Sequence, residues 1–97
     1  MPTMLQQLQE WYLAQCDGDW EHTYGVEIGT LDNPGWRVRI GLAETDLEED
    51  PFERIKIERP DDDWLHAWVE DRRWHAACGP KNLDEALRAF LTWANSS

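Results

Sequence analysis

The residues best suited to chemistry are concentrated in the run CDGDWEH at positions 16–22, which holds a thiol, three carboxylates and an imidazole. Asp17, Asp19 and Glu21 alternate as the ligands at the start of a calcium loop do. The glycine and the distal glutamate of an EF-hand do not follow at the required offsets, so the calcium pattern is incomplete. The competing interpretation is that the two aspartates shape a turn between secondary-structure elements.

The same run offers two further chemistries. Cys16 and His22 could form a Cys2His2 zinc site with His75 and Cys78, although their spacing is not that of a known zinc motif. Cys16 could also act as a nucleophile with His22 as its base, but a helix that ends at a cysteine disfavours the thiolate. We therefore expect no catalytic residue and no cofactor. A metal-binding module or metal-dependent enzyme centred on residues 16–22 is the alternative function.

Helices are predicted at both ends of the chain. Residues 3–16 open with a capping box, Thr3 to Gln6, and apolar residues then recur at helical spacing. Asn82 is a capping residue, and the apolar stripe behind it predicts a second helix that ends near position 95.

Alternating apolar and polar residues predict five strands between the helices. The first two begin at Trp20 and Trp36, and a three-residue loop with Gly35 in the left-handed region joins them. That loop places Ile28 opposite Ile40 and Thr30 opposite Val38.

The third strand is predicted over residues 52–59, and the fourth and fifth over 64–70 and 73–78. A two-residue turn between the last two pairs Leu65 with Cys78 and Val69 with Trp74. The order of elements predicts an α+β fold, an antiparallel five-stranded meander flanked by N- and C-terminal helices that pack on one face. The other face of the sheet is expected to stay open.

Composition restricts the classes of function. The chain has 97 residues, enough for a single domain over residues 1–97, and its 20 acidic and 9 basic side chains give a net charge of −11. Such a charge repels a phosphate backbone, so nucleic acid is not an expected partner. No apolar run is long enough for a membrane span and no secretory signal is recognised, so we expect a cytoplasmic protein with reduced cysteines.

Two acidic segments and the open sheet face are the candidate partner-binding surfaces. Half of the acidic residues lie within residues 44–63, and a meander puts the connection 43–51 and the turn 60–63 at opposite ends of the sheet. Acidic segments either keep a protein soluble or dock and steer a basic partner. Tryptophans on the open face are either interface anchors or rings that neighbouring guanidinium groups cover. The candidate partner-binding residues are Asp46, Glu48, Glu49, Asp50, Asp61, Asp62, Asp63, Trp64 and Trp68.

Three stretches of the chain together carry a resemblance to a known family. They are LQEWY at 8–12 running into CDGDWEHTYG at 16–25, TLDNPGWRVRI at 30–40, and GPKNL at 79–83 before FLTWA at 90–94. Together they resemble the immunity protein 53 family of bacterial polymorphic toxin systems, over nearly the whole chain.

The resemblance implies a small cytoplasmic immunity protein whose gene neighbours a toxin gene. Such a protein binds and neutralises its cognate toxin domain by stoichiometric protein–protein inhibition, and the family offers no catalytic residues to carry over. The charge of this chain suits a basic toxin, such as a nuclease. A general adaptor for basic proteins is a further possibility, and the sequence does not indicate an oligomeric state.

Overall fold

Helices form at both ends of the chain, as predicted, and the capping box of the first helix is present. In the computed structural model, which describes residues 2–96, Thr3 Oγ1 accepts a hydrogen bond from Gln6 N at 3.0 Å. Gln6 Oε1 accepts one from Thr3 N at 2.8 Å, which completes the capping box. The elements are α1 (Met4–Gln15), α2 (Trp20–Thr23), β1 (Val26–Leu31), β2 (Gly35–Gly41), β3 (Ile55–Arg59), β4 (Asp63–Glu70), β5 (Arg73–Cys78) and α3 (Leu83–Ser96).

The five strands form one antiparallel sheet, which confirms the α+β class. Their order is β1-β2-β5-β4-β3, so the arrangement differs from that of a simple meander. The connection over residues 42–54 carries the chain along one end of the sheet, where Leu42 N donates to Arg72 O at 2.9 Å. This route places β2 beside β5 in the middle of the sheet. The charged strand β3, with Lys56, Glu58 and Arg59, is left at an edge, where charge discourages further strand pairing.

The β1–β2 hairpin forms, but its predicted register is wrong by two residues. Ile28 pairs with Val38 and Thr30 with Trp36, and the three-residue loop is 32–34. Gly35 lies within β2 and not in the left-handed region. Glycine is required there because a Cβ would collide with the backbone carbonyl of Cys78. A shift of two residues keeps every side chain on its predicted face.

The predicted strand from Trp20 is wrong over its first residues, which form the short helix α2. Asp17 Oδ1 accepts from Asp19 N at 2.9 Å and from Trp20 N at 3.0 Å, and these bonds turn the chain immediately after α1. The turn buries the Trp20 ring against Trp11 and Tyr12. The first strand therefore begins only at Val26.

The core lies between the sheet and the two long helices, which confirms that both helices pack on one face. Phe90 of α3 contacts Trp74 of β5 and Trp11 of α1, with ring centroids 5.2 and 5.0 Å apart. Phe52 precedes β3 and packs on Trp74 and Trp93, outside the strand in which it was predicted. The buried cluster draws on α1, α3, the three central strands and the connection after β2. Its members are Leu8, Val38, Ile40, Leu42, Leu47, Leu65, Ala67, Trp74, Ala76, Cys78, Ala86, Leu87, Phe90 and Leu91. Among residues 2–96, no helix combines the length and apolar character that a membrane span needs.

The β4–β5 hairpin has the predicted register, with Leu65 opposite Cys78 and Val69 opposite Trp74. Its two-residue turn holds Asp71 and Arg72 at φ 54° and 58°, both in the left-handed region.

Replacing Arg72 with glycine is expected to stabilise the protein by roughly 0.5–1 kcal/mol, because glycine adopts this conformation without a Cβ penalty. The ion pair lost with the side chain is exposed, with Nη1 3.7 Å from Glu48 Oε2, and contributes little. Urea denaturation measures the change. Arg73→Gly, next to it but inside β5, is the control and is expected to be destabilising. A less stable Arg72→Gly protein would contradict the turn assignment.

Candidate functional site

The two acidic segments lie at opposite ends of the sheet, as predicted. The connection 42–54 meets the 71–72 turn at one end, where Leu42 N donates to Arg72 O. The turn 60–62 meets Gly79 at the other end, where Gly79 N donates to Trp64 O at 3.0 Å. The full length of β4 separates them, on the order of 26 Å for its rise per residue. The candidate residues therefore form two acidic surfaces and not one.

The connection 42–54 is anchored and not a loose acidic run. Leu42, Ala43 and Leu47 are buried. The Thr45 hydroxyl donates to Leu42 O at 2.7 Å and accepts from Leu47 N at 3.1 Å. Trp93 of α3 donates its indole N–H to Pro51 O at 3.0 Å and fixes the far end of the segment. These contacts fix the backbone of the connection 42–54, and with it the positions from which the acidic side chains extend.

The four candidate carboxylates of this connection have different roles. Glu48 is partly buried and accepts from Glu44 N at 2.6 Å, and Glu44 itself sits at φ 66°. Asp50 is also partly buried. Asp46 and Glu49 are exposed, and their side chains make no hydrogen bond or ion pair within residues 2–96. Glu48 thus holds the segment in shape, and Asp46 and Glu49 are the carboxylates most accessible to a partner. We call the surface formed by Asp46 and Glu49 the connection surface.

At the other end of the sheet, Asp63 belongs to a hydrogen-bond network with residues that no sequence pattern connects with it. Its Oδ1 accepts from Arg59 Nη2 at 2.8 Å and from Asn82 Nδ2 at 2.7 Å. Glu85 Oε1 accepts from the same two groups at 2.7 and 3.0 Å. Donation from Arg59, then from Asn82, holds the pKa of Asp63 below its ordinary value. Asn82 is predicted as a helix cap, but its side chain bonds instead to Trp64 N, Asp63 and Glu85, and no sequence pattern links these residues to Arg59.

The role of Asp63 predicts a pH dependence of stability. A lowered folded-state pKa means that the stabilising contribution is present above the ordinary value of 3.8 and is lost as the pH falls through the folded value. Asp63→Asn is therefore expected to be less stable than the unmodified protein at pH 7 and to approach it at pH 2. Urea denaturation at both pH values makes the comparison. An equal difference at the two pH values would contradict this role.

Asp61 and Asp62 form the tip of this end, and both are exposed. Each has φ 62°, a left-handed conformation that aspartate tolerates better than most residues. Neither side chain makes a hydrogen bond or ion pair within the described chain. We call the surface formed by Asp61 and Asp62 the tip surface; their carboxylates make no such bond within residues 2–96, whereas that of Asp63 is bonded to Arg59 and Asn82.

The open face carries the two predicted tryptophans, both partly buried. The pairing puts Arg39, His75 and Trp68 in one row across β2, β5 and β4. The rings of His75 and Trp68 stack with centroids 5.4 Å apart, and Arg54 lies 5.6 Å from the Trp68 centroid. Trp64 makes an edge contact with His66 at 5.2 Å. Trp68 is therefore partly covered by its own neighbours, whereas Trp64 lies nearer the tip surface.

The run 16–22 has a structural explanation that differs from metal binding. Glu21 accepts from Asp17 N at 3.0 Å and from Gly18 N at 2.9 Å, and Asp17 Oδ1 accepts from Asp19 N and Trp20 N. Backbone hydrogen bonds lower the pKa of both carboxyl groups. The Cys16 thiol donates to Tyr12 O at 3.3 Å. Within residues 2–96, no three His, Cys, Asp or Glu side chains are grouped so that they could hold a metal ion.

The Cys2His2 arrangement that the residue types would allow does not form, for a reason of strand geometry. His75 and Cys78 lie an odd number of positions apart on β5, so their side chains point to opposite faces. Cys78 is buried in the core, where burial raises the pKa of its thiol to about 11, and His75 stacks on Trp68 on the open face. Cys16 and Cys78 are both free.

Comparison with known proteins gives one informative match. The sequence model of immunity protein 53 matches residues 5–95. No curated protein and no solved structure matches the chain significantly.

Proposed function

Because the chain belongs to the immunity protein 53 family, we propose that it binds and neutralises a cognate bacterial toxin domain by stoichiometric protein–protein inhibition. The family match carries the proposal, since residues 5–95 include the whole sheet and all but the outermost residue of each long helix. The protein acts by occupying the toxin and catalyses no reaction itself. It meets the toxin in the cytoplasm of the cell that makes both.

Electrostatics supports a basic toxin domain as the partner. A protein with net charge −11 attracts a basic partner over long range, and clustered charge raises the association rate. Toxins that cleave nucleic acid carry basic surfaces that bind phosphate groups, so a nuclease domain would complement the negative charge of this protein. Asp46 and Glu49 on the connection surface, and Asp61 and Asp62 on the tip surface, are the acids best placed for steering.

Tight inhibition needs a desolvated contact in addition to steering, because exposed charge pairs contribute little affinity. Trp64 and Trp68 are candidates for such a contact, and tryptophan is enriched at interface hot spots. Trp64 is the better placed of the two, because Arg54 and His75 already cover part of the Trp68 ring.

Coexpression with the toxin domain encoded beside this gene tests the proposal. Cells that make the toxin domain alone are expected to stop growing, and cells that also make this protein are expected to survive. The two proteins should copurify at a 1:1 ratio. An unrelated acidic protein of similar size is the control for nonspecific charge. Growth arrest despite a folded, abundant protein would contradict the proposal.

A further inference from the structure

The strand β1 forms one edge of the sheet, and no other strand of residues 2–96 lies on its outer side. Gly41 N donates to Gly25 O, so the pair 25–41 is hydrogen bonded, and bonded pairs alternate along an antiparallel ladder. The backbone groups of Glu27, Gly29 and Leu31 therefore face β2. Those of Val26, Ile28 and Thr30 face outward, and none of them has a backbone partner within the described chain.

This edge lacks the features that protect an exposed strand from pairing. Its sequence, VEIGTL, contains no lysine, arginine or proline, and valine, isoleucine and threonine favour extended structure. The opposite edge, β3, carries Lys56, Glu58 and Arg59. The two edges therefore differ, and β1 is the one able to accept another strand.

An apolar groove runs beside β1 on the helix face. A cleft of about 330 Å³ between α1 and β1 is lined by Leu8, Tyr12, Tyr24 and Val26, with Glu21 at its side. Four of the five large apolar side chains exposed in the described chain lie on these two elements: Leu5, Tyr12, Leu13 and Ile28. Ile28 is 40% exposed although its partner Val38 is fully buried. Apolar side chains of an added strand would enter this groove.

The charge around the edge indicates which partner it fits. Residues 1–36, which supply α1, α2 and β1, contain six acidic residues and no lysine or arginine. Two copies of this surface would repel each other, whereas a cationic segment would be attracted.

We propose that β1 binds an extended, cationic segment of the toxin domain as a sixth strand, with apolar side chains in the groove alternating with basic ones. The segment hydrogen bonds to the outward groups of Val26, Ile28 and Thr30. This proposal rests on the proposed function and names the binding mode.

Amide hydrogen exchange, read residue by residue, tests the proposal directly. In the free protein the amides of Val26, Ile28 and Thr30 exchange fast, while those of Glu27 and Gly29 are protected by β2. Complex formation with the toxin domain is expected to protect all three outward amides. Unchanged exchange at these three positions in a stable complex would overturn the strand addition and leave the proposed function standing.

A matched pair of variants gives a second readout. Thr30→Pro removes an outward N–H without removing a bond to β2, and edge strands accept proline at such positions. We expect its affinity for the toxin domain to fall at least roughly tenfold, since a lost hydrogen bond and a steric block act together. Thr30→Val keeps the N–H and the size of the side chain, and its affinity should be unchanged. Ile28→Lys, which keeps the backbone and replaces an exposed apolar side chain of β1 with a charge that repels a cationic segment, is expected to weaken binding as well.

Equal affinities of Thr30→Pro and Thr30→Val, with both proteins folded by circular dichroism, would overturn the proposal. A dimer of this protein that forms without toxin and is lost in Thr30→Pro would also overturn it, since β1 would then pair with a second copy. Absence of any complex with the unmodified chain would contradict the proposed function itself.

Discussion

Gly79→Ala is expected to destabilise the protein by about 3 kcal/mol or more, a typical upper cost for forcing an atom into a packed site. An alanine Cβ at this position would collide with the backbone carbonyl of Asp62 and lie 2.6 Å from Asn82 Oδ1. Neither neighbour can retreat easily. Asp62 is held in a tight turn between β3 and β4, and Asn82 is buried and bonded to Asp63 and Glu85.

Thermal and urea denaturation measure this effect, with Gly29→Ala as the matched control. At Gly29 the nearest atom to an added Cβ is the flexible Arg37 Nη2, at an ordinary 3.5 Å. The control should therefore keep nearly the original stability, whereas Gly79→Ala should lower Tm by roughly 10 °C or more for a domain of this size. Similar midpoints for the two variants would show that the junction of β5, α3 and the tip surface is looser than described.

The double reversal Asp46→Lys with Glu49→Lys is expected to slow association with the toxin domain roughly tenfold at low salt. Both side chains are exposed and make no hydrogen bond or ion pair within the described residues that would be lost. The change should therefore act on encounter and leave the fold intact. The association rate should also become less sensitive to salt, because steering is the part of the rate that ions screen.

Stopped-flow or surface binding kinetics across a salt series measure this effect. The matched control is Asp61→Lys with Asp62→Lys on the tip surface, which changes the net charge by the same amount at the other end of the sheet. A larger effect on the connection surface would locate the approach of the toxin at that end. Equal effects of the two pairs would mean that net charge alone steers, and no effect of either would contradict steering.

Strand register could be predicted from the sequence where a tight turn and the alternation of apolar and polar residues specify the same pairing. The two-residue Asp71-Arg72 turn leaves one register for the alternating β4 and β5, and that register is the observed one. The β1–β2 register was missed because a glycine after proline fits two roles. Gly35 serves a close approach to the Cys78 carbonyl, whereas the prediction assigned it a left-handed turn.

The strand order could not be obtained from local patterns. Residues 42–54 have the composition of an exposed acidic connection. Three apolar residues within this segment, Leu42, Ala43 and Leu47, are nevertheless buried and pack it against the end of the sheet. Which strand β2 meets depends on that packing. A long connection is compatible with several neighbours, so the sequence favoured the simplest order.

The sequence predicted where the acidic residues lie, but not which of them are bonded within the protein. Acidic residues at both ends of the sheet follow from the positions of the connections. The division between acids that hold the structure and acids that face solvent depends on partners distant in the chain. Glu48 faces Arg72, and Asp63 faces Asn82, and neither spacing is a motif. The cationic groups of the open face likewise come together only through the pairing of β2, β5 and β4.

Titration of the purified toxin domain with this protein tests the central claim most directly. Toxin activity on its own substrate should fall linearly and reach its minimum at one molecule of this protein per toxin molecule, with a 1:1 complex by light scattering. Full activity at a large excess of folded protein would contradict stoichiometric inhibition. Inactivation by a small fraction of an equivalent would contradict it as well, because it would require turnover.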